Sequence, residues 1–184
     1  MMLAALVWAL GVRDPLQEDD AAPSVSRPDA VQVERGAYLA RAGNCRACHT
    51  RRGGPAYAGG RAIETPFGTV FTSNLTPDRA TGIGDWSPAH FWRAMHHGRS
   101  RDGRLLLPVF PYGSYTQVTR QDSDALFAYF MSLPAAAQAN RPHDLRWPYG
   151  SQWALAVWRA LYFRAGGFEP QVERSAEWNR GAYL

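Results

Sequence analysis

The sequence predicts an all-α domain of three main helices joined by long loops, followed by a C-terminal helical extension. Three observations carry this expectation. Apolar residues recur at helical spacing in three segments between residues 31 and 134, each with its own start and stop signals. From Gly53 to Asp85 the chain is instead dense in Gly, Pro and Thr, and a loop of that length in a compact domain is characteristically wrapped around something it binds. Residues 150–164 then form a nearly all-apolar stretch of helix length. At 184 residues, 46% hydrophobic and 20% charged, with a mean hydropathy of −0.35, the chain fits one soluble globular domain with an appendage, not a membrane bundle or a disordered chain.

Each element has a local reason. Residues 1–12 carry no charge and are too short to span a bilayer, so they read as the remnant of a signal or anchor, with residues 13–30, rich in Asp, Pro, Ala and Ser, as a linker. The domain proper is expected over 31–134. Its first helix runs from about Val33 to Ala42, stopped by Gly43. Ser87 and Pro88 start the second, which holds Phe91, Trp92 and Met95 and ends at Gly98. Thr119-Arg120-Gln121-Asp122 resembles a capping box and opens the third, whose Leu126, Phe127, Phe130 and Met131 precede Pro134. The extension is expected over 135–178, with its apolar helix 150–164 buried on several sides. Residues 179–184 contain Arg180-Gly181-Ala182-Tyr183-Leu184, a repeat of Arg35-Gly36-Ala37-Tyr38-Leu39, and read as the start of a truncated second domain of the same kind.

All 20 basic residues are Arg, set against 16 Asp and Glu for a net charge of +4. They are spread from Arg13 to Arg180, which argues against a nucleic-acid stripe and for an anionic protein partner or a bound anion.

Two cysteines exclude a disulfide framework. They stand in Cys45-Arg46-Ala47-Cys48-His49, the C-x-x-C-H spacing of covalent haem attachment. Two thiols three positions apart on a tight turn can add across the two vinyl groups of one porphyrin, and the adjacent His can ligate the iron from the same side. Zinc is the first alternative, but it wants four ligands and no second Cys or His pair at finger-like spacing follows. Thiol redox chemistry is the second, but it belongs to a βαβ setting and has no use for the following His.

From Arg35 to His49, then through Glu64-Thr65-Pro66-Phe67-Gly68-Thr69, Asn74-Leu75-Thr76-Pro77-Asp78 and Thr81-Gly82-Ile83-Gly84-Asp85-Trp86, the sequence resembles the first haem domain of the multihaem cytochrome c subunits of bacterial membrane-bound alcohol, gluconate, sorbitol and aldehyde dehydrogenases. The likeness extends from about Val33 to Leu184. It implies a class I cytochrome c-like domain with loops around the haem, one covalent haem c held by Cys45 and Cys48, and His49 as the proximal iron ligand. It also implies export to the periplasm, at the outer face of the inner membrane where membrane association holds it. The implied electron donor is a dehydrogenase catalytic subunit, and the implied acceptor is quinone, a terminal oxidase or a further haem domain.

The sequence departs from that family at the sixth ligand. Where many members carry Pro-x-Met-Pro-Tyr with a ligating Met, this chain has Pro108-Val109-Phe110-Pro111-Tyr112. On the second helix Trp92, Met95 and His96 fall on one apolar stripe, while His90, Arg93 and His97 share a polar face. His96 is thus the first candidate for the distal ligand and Met95 the second, with an open iron as a third option. Met131 reads as core and His143 as surface. Phe67, Phe71, Trp86, Phe110, Tyr112 and Tyr115 are candidates to line the crevice, and Arg46, Arg51 and Arg52 flank the attachment turn, where they would steer an acidic donor. The expected function is therefore one-electron transfer without conversion of a substrate. The alternative is an open-site haem protein that binds a diatomic gas or reduces peroxide. A third reading takes the apolar helix as a docking element.

Overall fold

The structure, a computed structural model, describes residues 29–184. The signal or anchor expected at 1–12, and all but the end of the linker expected at 13–30, lie outside the described residues. Helix α1 spans Ala30–Ala42: Asp29 caps it by accepting the Gln32 N–H at 2.6 Å, and Gly43 closes it by donating to the Leu39 carbonyl at 2.8 Å. A five-residue turn of helix, α2 (Cys45–His49), follows at once. Then come β1 (Ala62–Thr65), β2 (Gly68–Phe71), α3 (Pro88–His97), the short α4 (Tyr112–Tyr115) and α5 (Arg120–Met131). The extension supplies β3 (Asp144–Leu145), α6 (Gln152–Tyr162) and α7 (Ala176–Tyr183).

The all-α expectation is corrected by a three-stranded antiparallel sheet in the order β1-β2-β3, with Ile63 opposite Val70 and Thr69 opposite Asp144. Its turn is local chemistry: the Thr65 hydroxyl donates to the Gly68 carbonyl at 2.6 Å and accepts the Phe67 N–H at 3.1 Å. The density of Gly, Pro and Thr that reads as featureless loop is here the turn chemistry of a hairpin. Its third strand comes from about 75 residues further along the chain.

Helices α1, α3 and α5 enclose the main core. Leu39 and Ala40 meet Phe91 and Met95, then Ala125, Leu126, Phe127 and Phe130, with Tyr57 and Ile83 reaching in from the loops. Helix α1 crosses α5 at Gly36, where an added Cβ would overlap the Ala125 carbonyl. At the head of α5, Asp122 is 1% exposed and receives both the Arg35 guanidinium and, at 2.6 Å, the Tyr183 hydroxyl. The two copies of the pentapeptide, one in α1 and one in α7, thus meet on one carboxylate.

Helix α6 buries one face and not several. Leu155 and Ala156 pack on Leu105, and the Gln152 amide both accepts the Leu105 N–H at 2.7 Å and donates to its carbonyl at 3.2 Å. Trp153, Val157, Leu161 and Tyr162 stay exposed on the other side, because the loop after α3, Tyr112 and the His97 carbonyl meet only the inner face of this eleven-residue helix. No helix among the described residues is long and apolar enough to cross a membrane.

Candidate functional site

The turn that carries Cys45, Cys48 and His49 lies between α1 and the hairpin. Gly43 ends α1 and Asn44 takes a left-handed conformation (φ 52°), so a fresh turn of helix begins at Cys45. Within it Cys45 is half-buried against the main core and Cys48 is exposed, and the two are not joined in a disulfide. Burial pushes the Cys45 thiol up to about 11, the reverse of what a redox-active thiolate needs. Tyr115 seals this side: its hydroxyl donates to the Gly43 carbonyl at 3.1 Å, and its own ionisation is pushed up to about 12 by burial.

His49 closes the turn, and its Nδ1 lies 2.8 Å from the carbonyl oxygen of Ser73. A carbonyl only accepts, so Nδ1 carries the proton and Nε2 is left as a lone-pair donor. Burial also holds this imidazole below its ordinary value, outweighing the opposite pull of the Ser73 bond. The ring is thereby kept neutral, the form that binds a metal. The loop is held against the turn by Gly59 N–H, which donates to the His49 carbonyl at 2.8 Å, and by the Tyr57 N–H on the Thr50 hydroxyl at 3.0 Å. Behind it Asn74 is buried, its amide donating to Thr81 and to the Ala136 carbonyl, and its Oδ1 accepting from Thr76. The extension is therefore part of what fixes the loop that holds His49.

These residues fit a covalently bound haem: two thiols and one neutral imidazole with a free Nε2 on a single turn, backed by an apolar core. They do not fit zinc, since among the described residues no group of three or more His, Cys, Asp or Glu side chains converges to hold a metal ion.

The distal candidates sort by their neighbours. Met95 is 6% exposed and belongs to the same core cluster against which Cys45 packs. His96 is half-buried and stacks on Trp92 with ring centroids 4.3 Å apart, and its Nδ1 is buried without a hydrogen-bond partner among the described residues. Phe110 packs against Tyr115 at 5.4 Å and against the main core. Of the aromatics expected around the crevice, Trp86, Phe110 and Tyr115 border that cluster. Tyr112 turns instead to Trp158 and Phe163, Phe71 lies under Arg141, and Phe67 is exposed against Tyr149. His143 is exposed and accepts the Phe71 N–H at 3.2 Å.

The polar face of α3 is not at the surface: Arg93 and His97 are 8% and 9% exposed. Arg93 donates to the Ser100 and Arg101 carbonyls, and Arg159 of α6 donates to the His97 carbonyl. Helical periodicity sees only its own helix, and this face is covered from elsewhere, Arg93 by the loop just after α3 and His97 by Arg159 of the extension.

Comparison with known proteins agrees with this geometry. The family model for cytochrome c matches residues 33–134. The chain is 45% identical over its whole length to a nicotinate dehydrogenase subunit of Pseudomonas putida, covering 15% of that protein. It is also 45% identical over its whole length to the gluconate 2-dehydrogenase cytochrome c subunit of Pantoea cypripedii, covering 41% of it. It is 41% identical, over 85% of its length, to the cytochrome c subunit of the quinone alcohol dehydrogenase of Gluconacetobacter polyoxogenes, covering 34% of that protein. The chain thus spans less than half the length of each of these relatives.

Proposed function

Because this chain belongs to the cytochrome c family, we propose that it carries one haem c and transfers single electrons within a dehydrogenase complex of the periplasm. The observation that carries this reading is the single turn bearing Cys45, Cys48 and a His49 whose Nδ1 is tied to Ser73. Bound haem supplies an iron that alternates between ferric and ferrous states. What the chain supplies is fixity. Cys45 and Cys48 would hold the porphyrin by two thioethers, and His49 Nε2 would ligate the iron. The Ser73 bond holds the imidazole in one tautomer and orientation, so the same ligand geometry serves both oxidation states. The apolar wall from Leu39 to Phe130 excludes water and favours the less charged ferrous form, which raises the potential.

Burial in the cluster beside Cys45 supports Met95 over His96 as the distal ligand, reversing the order that the sequence pattern favours. The names of the relatives support a dehydrogenase catalytic subunit as electron donor; in this reading quinone, a terminal oxidase or a further haem domain would be the acceptor. Location at the outer face of the inner membrane follows from the same reading.

A second reading has one observation behind it. Phe110 occupies the place of the loop Met and cannot ligate, so an iron without Met95 would be open to a diatomic gas or peroxide. Optical spectra of the haem-loaded protein test both. A low-spin spectrum in both oxidation states that ignores carbon monoxide fits the carrier. A high-spin ferrous form that binds carbon monoxide at once fits the open site.

A further inference from the structure

The carbonyl that holds His49 belongs to a peptide bond gripped from its other side as well. The Ser73 oxygen faces His49 Nδ1 at 2.8 Å, and the N–H of that same peptide bond, contributed by Asn74, donates to Asn140 Oδ1 at 2.8 Å, across 66 residues of chain. The Asn140 amide fits only one way round. A backbone N–H needs an acceptor and the Thr81 carbonyl needs a donor, which Asn140 Nδ2 supplies at 2.8 Å. A single line of hydrogen bonds thus runs from the Asn140 side-chain oxygen through the Ser73–Asn74 peptide bond to the His49 ring.

That peptide bond has little room to move. Gly59, at a φ of 72°, passes so close that an added Cβ would strike the Ser73 carbonyl. The Asn74 side chain is occupied at both ends: its Oδ1 accepts the Thr76 N–H at 2.9 Å and hydroxyl at 2.7 Å, and its Nδ2 donates to Thr81 Oγ1 at 3.0 Å and to the Ala136 carbonyl at 2.8 Å. Those bonds place the loop. The bond from the Asn74 N–H to Asn140 does something else, because it polarises the peptide bond itself. An amide that donates through its N–H carries more negative charge on its oxygen, so it accepts more strongly. A stronger acceptor at Nδ1–H makes the imidazole a stronger donor at Nε2.

We propose that Asn140 is a positioning residue for His49, acting through the Ser73–Asn74 peptide bond to strengthen Nε2 as a donor and so to lower the potential of the haem iron, an inference that rests on the haem reading above. A stronger nitrogen donor favours the more charged ferric state, so the effect opposes that of the apolar wall. Asn140 suits this role because its backbone belongs to the extension and its side chain lies at the surface. It touches neither the Cys45–His49 turn nor the main core, so substituting it changes the bond to Asn74 without opening a cavity.

The test compares three variants of the full chain matured with haem. Asn140→Ala removes both of the side chain's bonds. Asn140→Asp keeps an acceptor for the Asn74 N–H, makes it a charged and stronger one, and loses only the donor to Thr81. Ala139→Asp adds the same charge at the neighbouring exposed position. Midpoint potentials are read by spectroelectrochemical titration, and the His49 Nδ1 proton by NMR of the ferrous protein. Expected in Asn140→Ala is a higher midpoint and an upfield shift of that proton, as its bond to Ser73 weakens. Expected in Asn140→Asp is a midpoint below that of Ala139→Asp and a downfield shift. A midpoint or a proton that does not respond to Asn140→Ala would overturn the proposal. So would an Asn140→Asp that follows Asn140→Ala, since the bond to Thr81 would then be the effective one, or that matches Ala139→Asp, since charge alone would then explain it. A parent chain that takes up no covalent haem would sink the haem reading itself, and the role of Asn140 with it.

Discussion

The Nδ1 of His49 and the carbonyl oxygen of Ser73 are 2.8 Å apart, across 24 residues of chain. This one contact sets the proton on Nδ1 and leaves Nε2 as the atom that would ligate a haem iron. It also couples the attachment turn to the loop ending at Asn74, and through Asn74 to the Ala136 carbonyl of the extension.

The two cysteines make separable contributions. In Cys48→Ala, one thioether to Cys45 remains and one vinyl stays conjugated, so the reduced pyridine adduct shifts to longer wavelength while the haem still survives acid extraction. In Cys45→Ala/Cys48→Ala the haem is lost on acid extraction. Pyridine adduct spectra and haem-stained denaturing gels check both.

The distal side separates Met95 from His96. Met95→Ala is expected to convert the ferrous protein from low-spin to high-spin and to open it to carbon monoxide, while His96→Ala leaves the low-spin spectrum in place. The reverse pattern, read by optical and magnetic circular dichroism spectra, would reinstate His96.

The α1–α5 crossing has no room to spare. Gly36→Ala drives a methyl group into the Ala125 carbonyl and the Tyr129 side chain, and is expected to cost about 3 kcal/mol as the helices separate. Chemical denaturation of the haem-loaded protein reads this as a lower midpoint. Gly181→Ala, the matching position of the second repeat, has open space around it and is expected to leave the midpoint unchanged.

Acid sensitivity is expected at His143. Although the residue is exposed, partial desolvation of its ring holds the imidazole below the ordinary value, with Arg104 adding to the effect, and the neutral ring accepts the Phe71 N–H. A group whose folded value is depressed adds stability above its unfolded value, near pH 6.5, and loses it as the pH falls through the folded value. Stability should therefore decline on acidification below about pH 6.5, and His143→Gln should flatten that decline. Thermal melts from pH 7.5 down to 5 measure it.

How much of this was legible in the sequence varies residue by residue. The turn that brings Cys45, Cys48 and His49 together was legible because its signal is the spacing of those three residues alone. Ser73 was not, because the group that matters is a backbone carbonyl with no side-chain signature. The sheet was hidden by strands of four, four and two residues, the last one in the extension. The burial of His97 was hidden because the helix that reaches it lies more than 50 residues downstream. The arginines beside the turn were half legible: Arg46, Arg51 and Arg52 are close in sequence, whereas Arg61 joins them along one open cleft only through the loop that returns past Gly59.

The most direct test of the central claim is the intact mass of the chain matured with haem in a periplasm, taken together with its pyridine adduct. The account predicts the mass of one polypeptide plus one haem that resists acid extraction, with an adduct spectrum indicating that both vinyl groups have been consumed. A mass equal to the bare polypeptide, or haem that washes out in acid while Cys45 and Cys48 remain titratable as thiols, would contradict it.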